Sequence, residues 1–156
     1  MSPEARTDPL TGLLSRRAVE DELTHLEPGD VVALIDPDHL GRVNEEGGNA
    51  AGDRTLRSLA ACLAKFCRRN DWCGRFGEER FLLVVRRSGS QPATAVDRLR
   101  ERWHALDSPT TFSAGVAVHR DGDDAWQTIN HADAALRRAK ERGRDRVEVF
   151  VRRAGH

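Results

Sequence analysis

The chain has 156 residues, with 25 Lys and Arg against 25 Asp and Glu, so it carries no formal net charge. A length of that order suits one domain able to bury most of a single core, and balanced charge excludes a global field that would draw the protein to nucleic acid or an anionic membrane. Cys62, Cys67 and Cys73 form an odd set without metal-ligand spacing and read as reduced core thiols; with no apolar segment at the start and no apolar run of bilayer length, the composition points to a soluble, cytoplasmic protein.

Ser15 is placed to cap a helix over residues 16–26, with Ala18, Val19, Leu23 and Leu26 on one stripe. The run Val31-Val32-Ala33-Leu34-Ile35 is short, continuous and rich in β-branched residues, the pattern of a buried central strand. Two acids, Asp36 and Asp38, follow at once. Residues 50–68 carry Leu56, Leu59, Ala60, Leu63, Ala64 and Cys67 at helical spacing, which predicts one face packed on a sheet. Strands over residues 72–76 and 80–85 are separated only by Gly77, Glu78 and Glu79, so they form a tight hairpin. A helix over 91–106, a strand over 111–118, a helix over 130–142 and a strand over 146–151 complete the chain. Strands followed by helices, with one hairpin inserted, describe an α/β sandwich of the α+β kind: a mixed central sheet of about five strands flanked by helices. The connectors are short and neither repeats nor low-complexity tracts occur, so a single domain is expected over residues 1–156, its motif-bearing core at about 7–151.

Asp36 ends the first buried strand and Glu79 sits at the hairpin tip. If those strands are antiparallel neighbours, both carboxylates reach one divalent ion, as metal-dependent nucleotidyl transfer requires. On spacing alone a second reading stays open, in which Asp36 caps the following helix and Glu79 is a solvated turn residue. Lys140 and Arg144, likewise, are two charges on a helical face. Arg68 and Asp71 are a surface ion pair by the same logic. The six histidines lack ligand spacing, and Trp72, Trp103 and Trp126 read as core or interface aromatics.

Further segments carry a resemblance. Asp8-Pro9-Leu10-Thr11-Gly12-Leu13-Leu14-Ser15-Arg16-Arg17, Asp36-Pro37-Asp38-His39-Leu40-Gly41-Arg42-Val43-Asn44, Gly48-Asn49-Ala50-Ala51-Gly52-Asp53, Gly77-Glu78-Glu79-Arg80-Phe81, Ser113-Ala114-Gly115, Ala132-Asp133-Ala134-Ala135-Leu136-Arg137-Arg138-Ala139-Lys140 and Gly143-Arg144-Asp145-Arg146 resemble, in order, the motifs of the GGDEF family of diguanylate cyclases. The resemblance implies a palm-like nucleotidyl-cyclase fold. It makes Asp36 and Glu79 the catalytic carboxylates, holding Mg2+ (or Mn2+) together with the backbone of Pro37. Asn44 and Asp53 would read guanine, Gly77 would let backbone approach the phosphates, and Lys140 and Arg144 would hold them. Arg68-Arg69-Asn70-Asp71 resembles the family's Arg-x-x-Asp inhibitory site for cyclic di-GMP, with Arg68 and Asp71 its ligands; Arg69 and Arg75 add positive field.

Two positions of the signature depart from the family. Glu78 stands in a glycine slot, bringing a carboxylate toward phosphate, and Arg80 stands where the family has a second acid and is expected to compete with a metal ion for Glu79. A one-residue gap restores the acids only by turning the Phe81 strand face over, which favours the ungapped alignment. The resemblance thus implies a degenerate GGDEF domain, a guanine-nucleotide signalling module that binds cyclic di-GMP at Arg68 and Asp71 and/or GTP at a vestigial active site. Its partners would be those nucleotides, a protein effector and a second copy in a homodimer, with neither nucleic acid nor membrane. The alternative is an active or weakly active diguanylate cyclase, or a nucleotidyltransferase with an altered substrate.

Overall fold

The computed structural model describes residues 3–152, so the expected extent 1–156 runs past the described residues at both ends. After a short 3-10 turn at Pro3–Arg6 come helix α1 (Arg16–Leu23), strand β1 (Val31–Pro37), α2 (Leu40–Gly47), α3 (Asn49–Phe66), β2 (Trp72–Gly77), β3 (Arg80–Val85), α4 (Thr94–Ala105), β4 (Phe112–Val118), α5 (Ala125–Glu141) and β5 (Arg146–Val149). The five strands form one mixed sheet in the order β2-β3-β1-β4-β5, with β1 antiparallel to both β3 and β4 and β4 parallel to β5.

Burial on both faces explains why β1 reads as an unbroken apolar run. Val31, Ala33 and Ile35 pack with Leu59 and Leu63 of α3 and with Leu99 and Trp103 of α4. Val32 and Leu34 pack on the opposite face with Val19 of α1 and with Ile129, Ala132 and Leu136 of α5. Period-two alternation then sends Asp36 to the α1/α5 face, and Arg80, two residues before Leu82 on the adjacent strand, to the same face. Gly115 lets α5 lie close on β4: a Cβ there would meet Ala132 O and Leu136 N, each at 2.1 Å.

Ser15 caps α1, accepting from the Ala18 amide at 3.2 Å, although that helix ends at Leu23 and not at residue 26. Helix α5 begins at Ala125, five residues before the start expected from periodicity, because Asp124 and Gln127 close a capping box. Periodicity gives no sign of α2, which buries only Leu40 and starts at His39 without a side-chain cap, so Asp36 does not cap it. Its apolar stripe is too thin to register as a helix. Residues 91–93, expected in α4, lie outside it, and β5 stops at Val149.

Candidate functional site

The ends of β1 and β3 and the C-terminal half of α5 bring an ion network together. On α5, Asp133, Arg137 and Lys140 are spaced i, i+4 and i+7, so they line one face of the helix. Lys140 Nζ lies 2.6 Å from Asp36 Oδ2. Arg80 closes on the same carboxylate from β3, donating through Nε to Oδ1 at 2.9 Å and through Nη2 to Oδ2 at 3.1 Å. Its third nitrogen, Nη1, donates to Asp133 Oδ1 at 3.1 Å, and Arg137 holds the other Asp133 oxygen at 3.3 Å. The forked guanidinium matches the carboxylate plane and makes the strong bidentate form of this contact. Hydrogen bonding to Asp36 pushes the Arg80 guanidinium above its ordinary value against partial burial, and the Asp133 charge reinforces the effect.

Arg80 therefore takes Asp36, not Glu79 as expected. Glu79 is exposed at the hairpin and makes no side-chain hydrogen bond among the described residues, and Gly77 is exposed beside it. Pro37 is buried at the end of β1 opposite Phe112. Residues with this arrangement do not fit Mg2+ or Mn2+. Both oxygens of Asp36 already accept from cations, the second acidic slot holds a cation, and no cluster of three His, Cys, Asp or Glu among the described residues is arranged to hold a metal ion.

Asn44 on α2 and Asp53 on α3 flank the sharp helix-to-helix joint at Gly48. Gly52 passes so close to Asn44 that a Cβ there would lie 2.0 Å from Oδ1. That oxygen is buried without a hydrogen-bond partner, while Asp53 is exposed. Arg144 is exposed and holds a left-handed backbone, φ 64°, in the turn after α5. Asp38, which the sequence marks only as the second acid after the first strand, fixes that turn. Buried at 2% exposure, it accepts from Thr111 Oγ1 and Ser113 Oγ, both at 2.6 Å, and from the Asp145 amide at 3.0 Å. Two hydroxyls on the strand expected at 111–118 were the available signal.

Arg68 and Asp71 lie in the turn from α3 to β2 and share no hydrogen bond with this network. Arg68 Nε is 2.9 Å from Asp71 Oδ2 and its Nη2 is 3.2 Å from Oδ1. The Arg68 amide (3.0 Å) and the Arg86 amide (2.9 Å) complete the carboxylate's set. A carboxylate offers about four acceptor sites, so Asp71 is filled from within the protein. Its side chain is only 2% exposed, whereas that of Arg68 is 60% exposed. Burial opposes ionisation of Asp71, but these hydrogen bonds and the Arg68 charge outweigh it and hold the carboxyl below its usual value. Arg68 is further braced by donating to Arg86 O at 2.7 Å. Around it a recess of about 500 Å³ is lined by Arg68, Arg69, Asn70, Asp71, Arg86 and Arg87. A second recess shares Arg68, Asp71 and Arg87 and adds Lys65, Arg98 and Arg102. Arg75, expected to add to this field, instead pairs with Asp8 at 3.4 Å.

A mixed five-stranded sheet between two helical layers, with an acidic strand end facing a hairpin, is an α+β sandwich. The family profile described as "Diguanylate cyclase, GGDEF domain" matches residues 5–146, and the chain belongs to the GGDEF family. It is 35% identical to the diguanylate cyclase DgcP of Pseudomonas aeruginosa, over 94% of this chain and 24% of that protein. The chain thus spans about a quarter of that relative's length. Among solved structures, the GGDEF domain of DgcB from Caulobacter crescentus, in complex with c-di-GMP, superposes with a TM-score of 0.87 at 27% identity, covering 96% of this chain and 98% of that one. The diguanylate cyclase SiaD of Pseudomonas aeruginosa, in complex with its activator SiaC, gives 0.81 at 33% identity, over 94% of this chain and 63% of that one.

Proposed function

We propose that this chain is a guanine-nucleotide signalling module, a GGDEF domain that binds cyclic di-GMP through Arg68 and has lost efficient cyclisation at Asp36. The observation that carries the reading is the bidentate Arg80–Asp36 contact, which fills a position where coordination of a divalent ion needs free carboxylate oxygens. Binding at the other site is supported by the basic recess around Arg68 and by the likeness to a GGDEF domain solved with c-di-GMP. In this reading Asp71 does not contact the ligand directly. It aligns a guanidinium whose exposed edge meets a phosphate or the guanine Hoogsteen edge. Signal then passes to a protein effector or to a second copy of the chain, in the cytoplasm.

A second ligand is favoured by one specific feature. Asn44 Oδ1 is an acceptor without a donor, across the α2–α3 joint from the exposed Asp53; turned outward, it would meet guanine N1 and its amino group, donors of the required kind. In this reading GTP occupies the vestigial site, with Lys140, exchanged from Asp36, and Arg144 on its phosphates. The alternative, a weak cyclase or a nucleotidyltransferase with an altered substrate, uses these same residues. Calorimetry with cyclic di-GMP and with GTP and Mg2+, beside prolonged incubation with GTP and chromatography of the products, separates the readings. Dinucleotide binding without turnover supports the sensor, and dinucleotide synthesis that disappears in Asp36→Ala refutes it.

A further inference from the structure

Three cations meet two carboxylates where β1, β3 and α5 converge. Asp36 and Asp133 carry the negative charges, and Arg80, Arg137 and Lys140 each touch at least one of them. Arg144 adds a fourth cation close by. Its amide donates to Ala139 O at 2.9 Å, which keeps it beside the last turn of α5, and among the described residues it takes part in hydrogen bonds only through its backbone.

The surplus positive charge sits on Lys140. Its Nζ makes one contact, to Asp36 Oδ2 at 2.6 Å, and the side chain is 34% exposed. Without that contact Asp36 still has both oxygens satisfied, each accepting from Arg80. Lys140 can therefore leave without stripping a carboxylate that is largely buried. Arg80 spends three of its five N–H groups, two on Asp36 and one on Asp133. One of the two donors left over is on Nη2, the nitrogen that shares Asp36 Oδ2 with Lys140.

We infer that this cleft takes its nucleotide as the metal-free polyphosphate anion, Arg80 standing in for the divalent ion, so that Mg2+ weakens binding; the inference deepens the GTP reading above and rests on it. A Mg2+ ion arriving on the phosphates needs free carboxylate oxygens, and those of Asp36 are taken. It meets a guanidinium and an ammonium instead, and is repelled by both. The ion also cancels phosphate charge that Lys140, Arg144 and the unused donors of Arg80 would otherwise neutralise. Glu78 and Glu79 act the other way, repelling phosphate and attracting a metal ion. Both are exposed on the hairpin, so solvent and salt screen them, whereas the Arg80 and Lys140 side chains are roughly two-thirds buried and act at close range.

GTP is titrated calorimetrically into the full chain, once in EDTA and once in excess Mg2+. Binding should be tighter in EDTA by about fivefold or more, the reverse of a site that requires the metal complex. Lys140→Ala should weaken metal-free binding by about tenfold. Arg80→Gln, which keeps a hydrogen-bond donor and removes the charge, should abolish the preference for the metal-free nucleotide or invert it. Arg68→Ala should retain the preference, which excludes the basic recess at the turn from α3 to β2 as its source. Equal or tighter binding in Mg2+, a preference unchanged in Arg80→Gln, or one lost in Arg68→Ala overturns the inference and leaves the GTP reading standing. No binding in either condition overturns both. Should Arg80→Gln fail to fold, the two titrations of the parent chain and those of Arg68→Ala still decide.

Discussion

The Arg80 guanidinium grips the Asp36 carboxylate at two points, making hydrogen bonds at 2.9 and 3.1 Å, so the cation that neutralises this acid is part of the polypeptide. Arg80→Glu removes it and restores an anion at that position. With Glu78→Gly in the same chain, calorimetry should detect Mn2+ binding absent from the parent, and any dinucleotide synthesis should rise. A double variant that takes up no ion would show that Lys140, still on Asp36, is enough to exclude it.

Arg68→Ala should abolish cyclic di-GMP binding while GTP binding stays within about twofold, because the two sites share no side chain. Parallel titrations read both affinities. Equal loss of the two would mean that one site serves both ligands.

Removal of the Asp71 charge should be felt in folding. Its carboxyl is held below the usual value, so the folded state gains stability that is present above the unfolded carboxyl pKa, about 3.9, and is lost as pH falls through the lower folded value. Asp71→Asn should cost about 1–3 kcal/mol at neutral pH, since two backbone amides and Arg68 lose a buried charged acceptor. Urea midpoints should show that difference unchanged between pH 7 and 5 and shrinking below about pH 4. A difference that shrinks already above pH 5 would assign the effect to another group.

Gly115→Ala forces a methyl group against helix backbone that has no side chain to swing away. Overpacking of this kind costs about 1–3 kcal/mol, and backbone contact places it at the upper end. A thermal midpoint unchanged from the parent would mean that α5 can lift from β4 at no cost.

The sheet was legible because its signals are local. Val31–Ile35 reads as a buried strand from composition alone, and the short linker at residues 77–79 fixes β3, on which Arg80 stands, as the antiparallel partner of β2. Periodicity also found α3 and most of α5. It did not find α2, where one buried residue leaves no stripe, nor the first turn of α5, where a capping box and not apolar spacing sets the boundary. Site residues were nameable from motifs, but their pairings were not. That Arg80 would turn to Asp36 and Asp133 depends on which strand face each occupies and on the approach of α5, a three-way coincidence that no single segment encodes. Asp71 was likewise visible as an acid, while its saturation by Arg86 comes from a residue on the far side of the hairpin.

Asp38 touches neither candidate ligand site, yet its oxygens join β4 to the turn after α5 and so set where Arg144 begins. Shortening Thr111 or Ser113 by a hydroxyl would therefore travel along the main chain and re-aim a side chain that neither of them meets. A distant alcohol, rather than a neighbouring charge, calibrates the reach of that arginine.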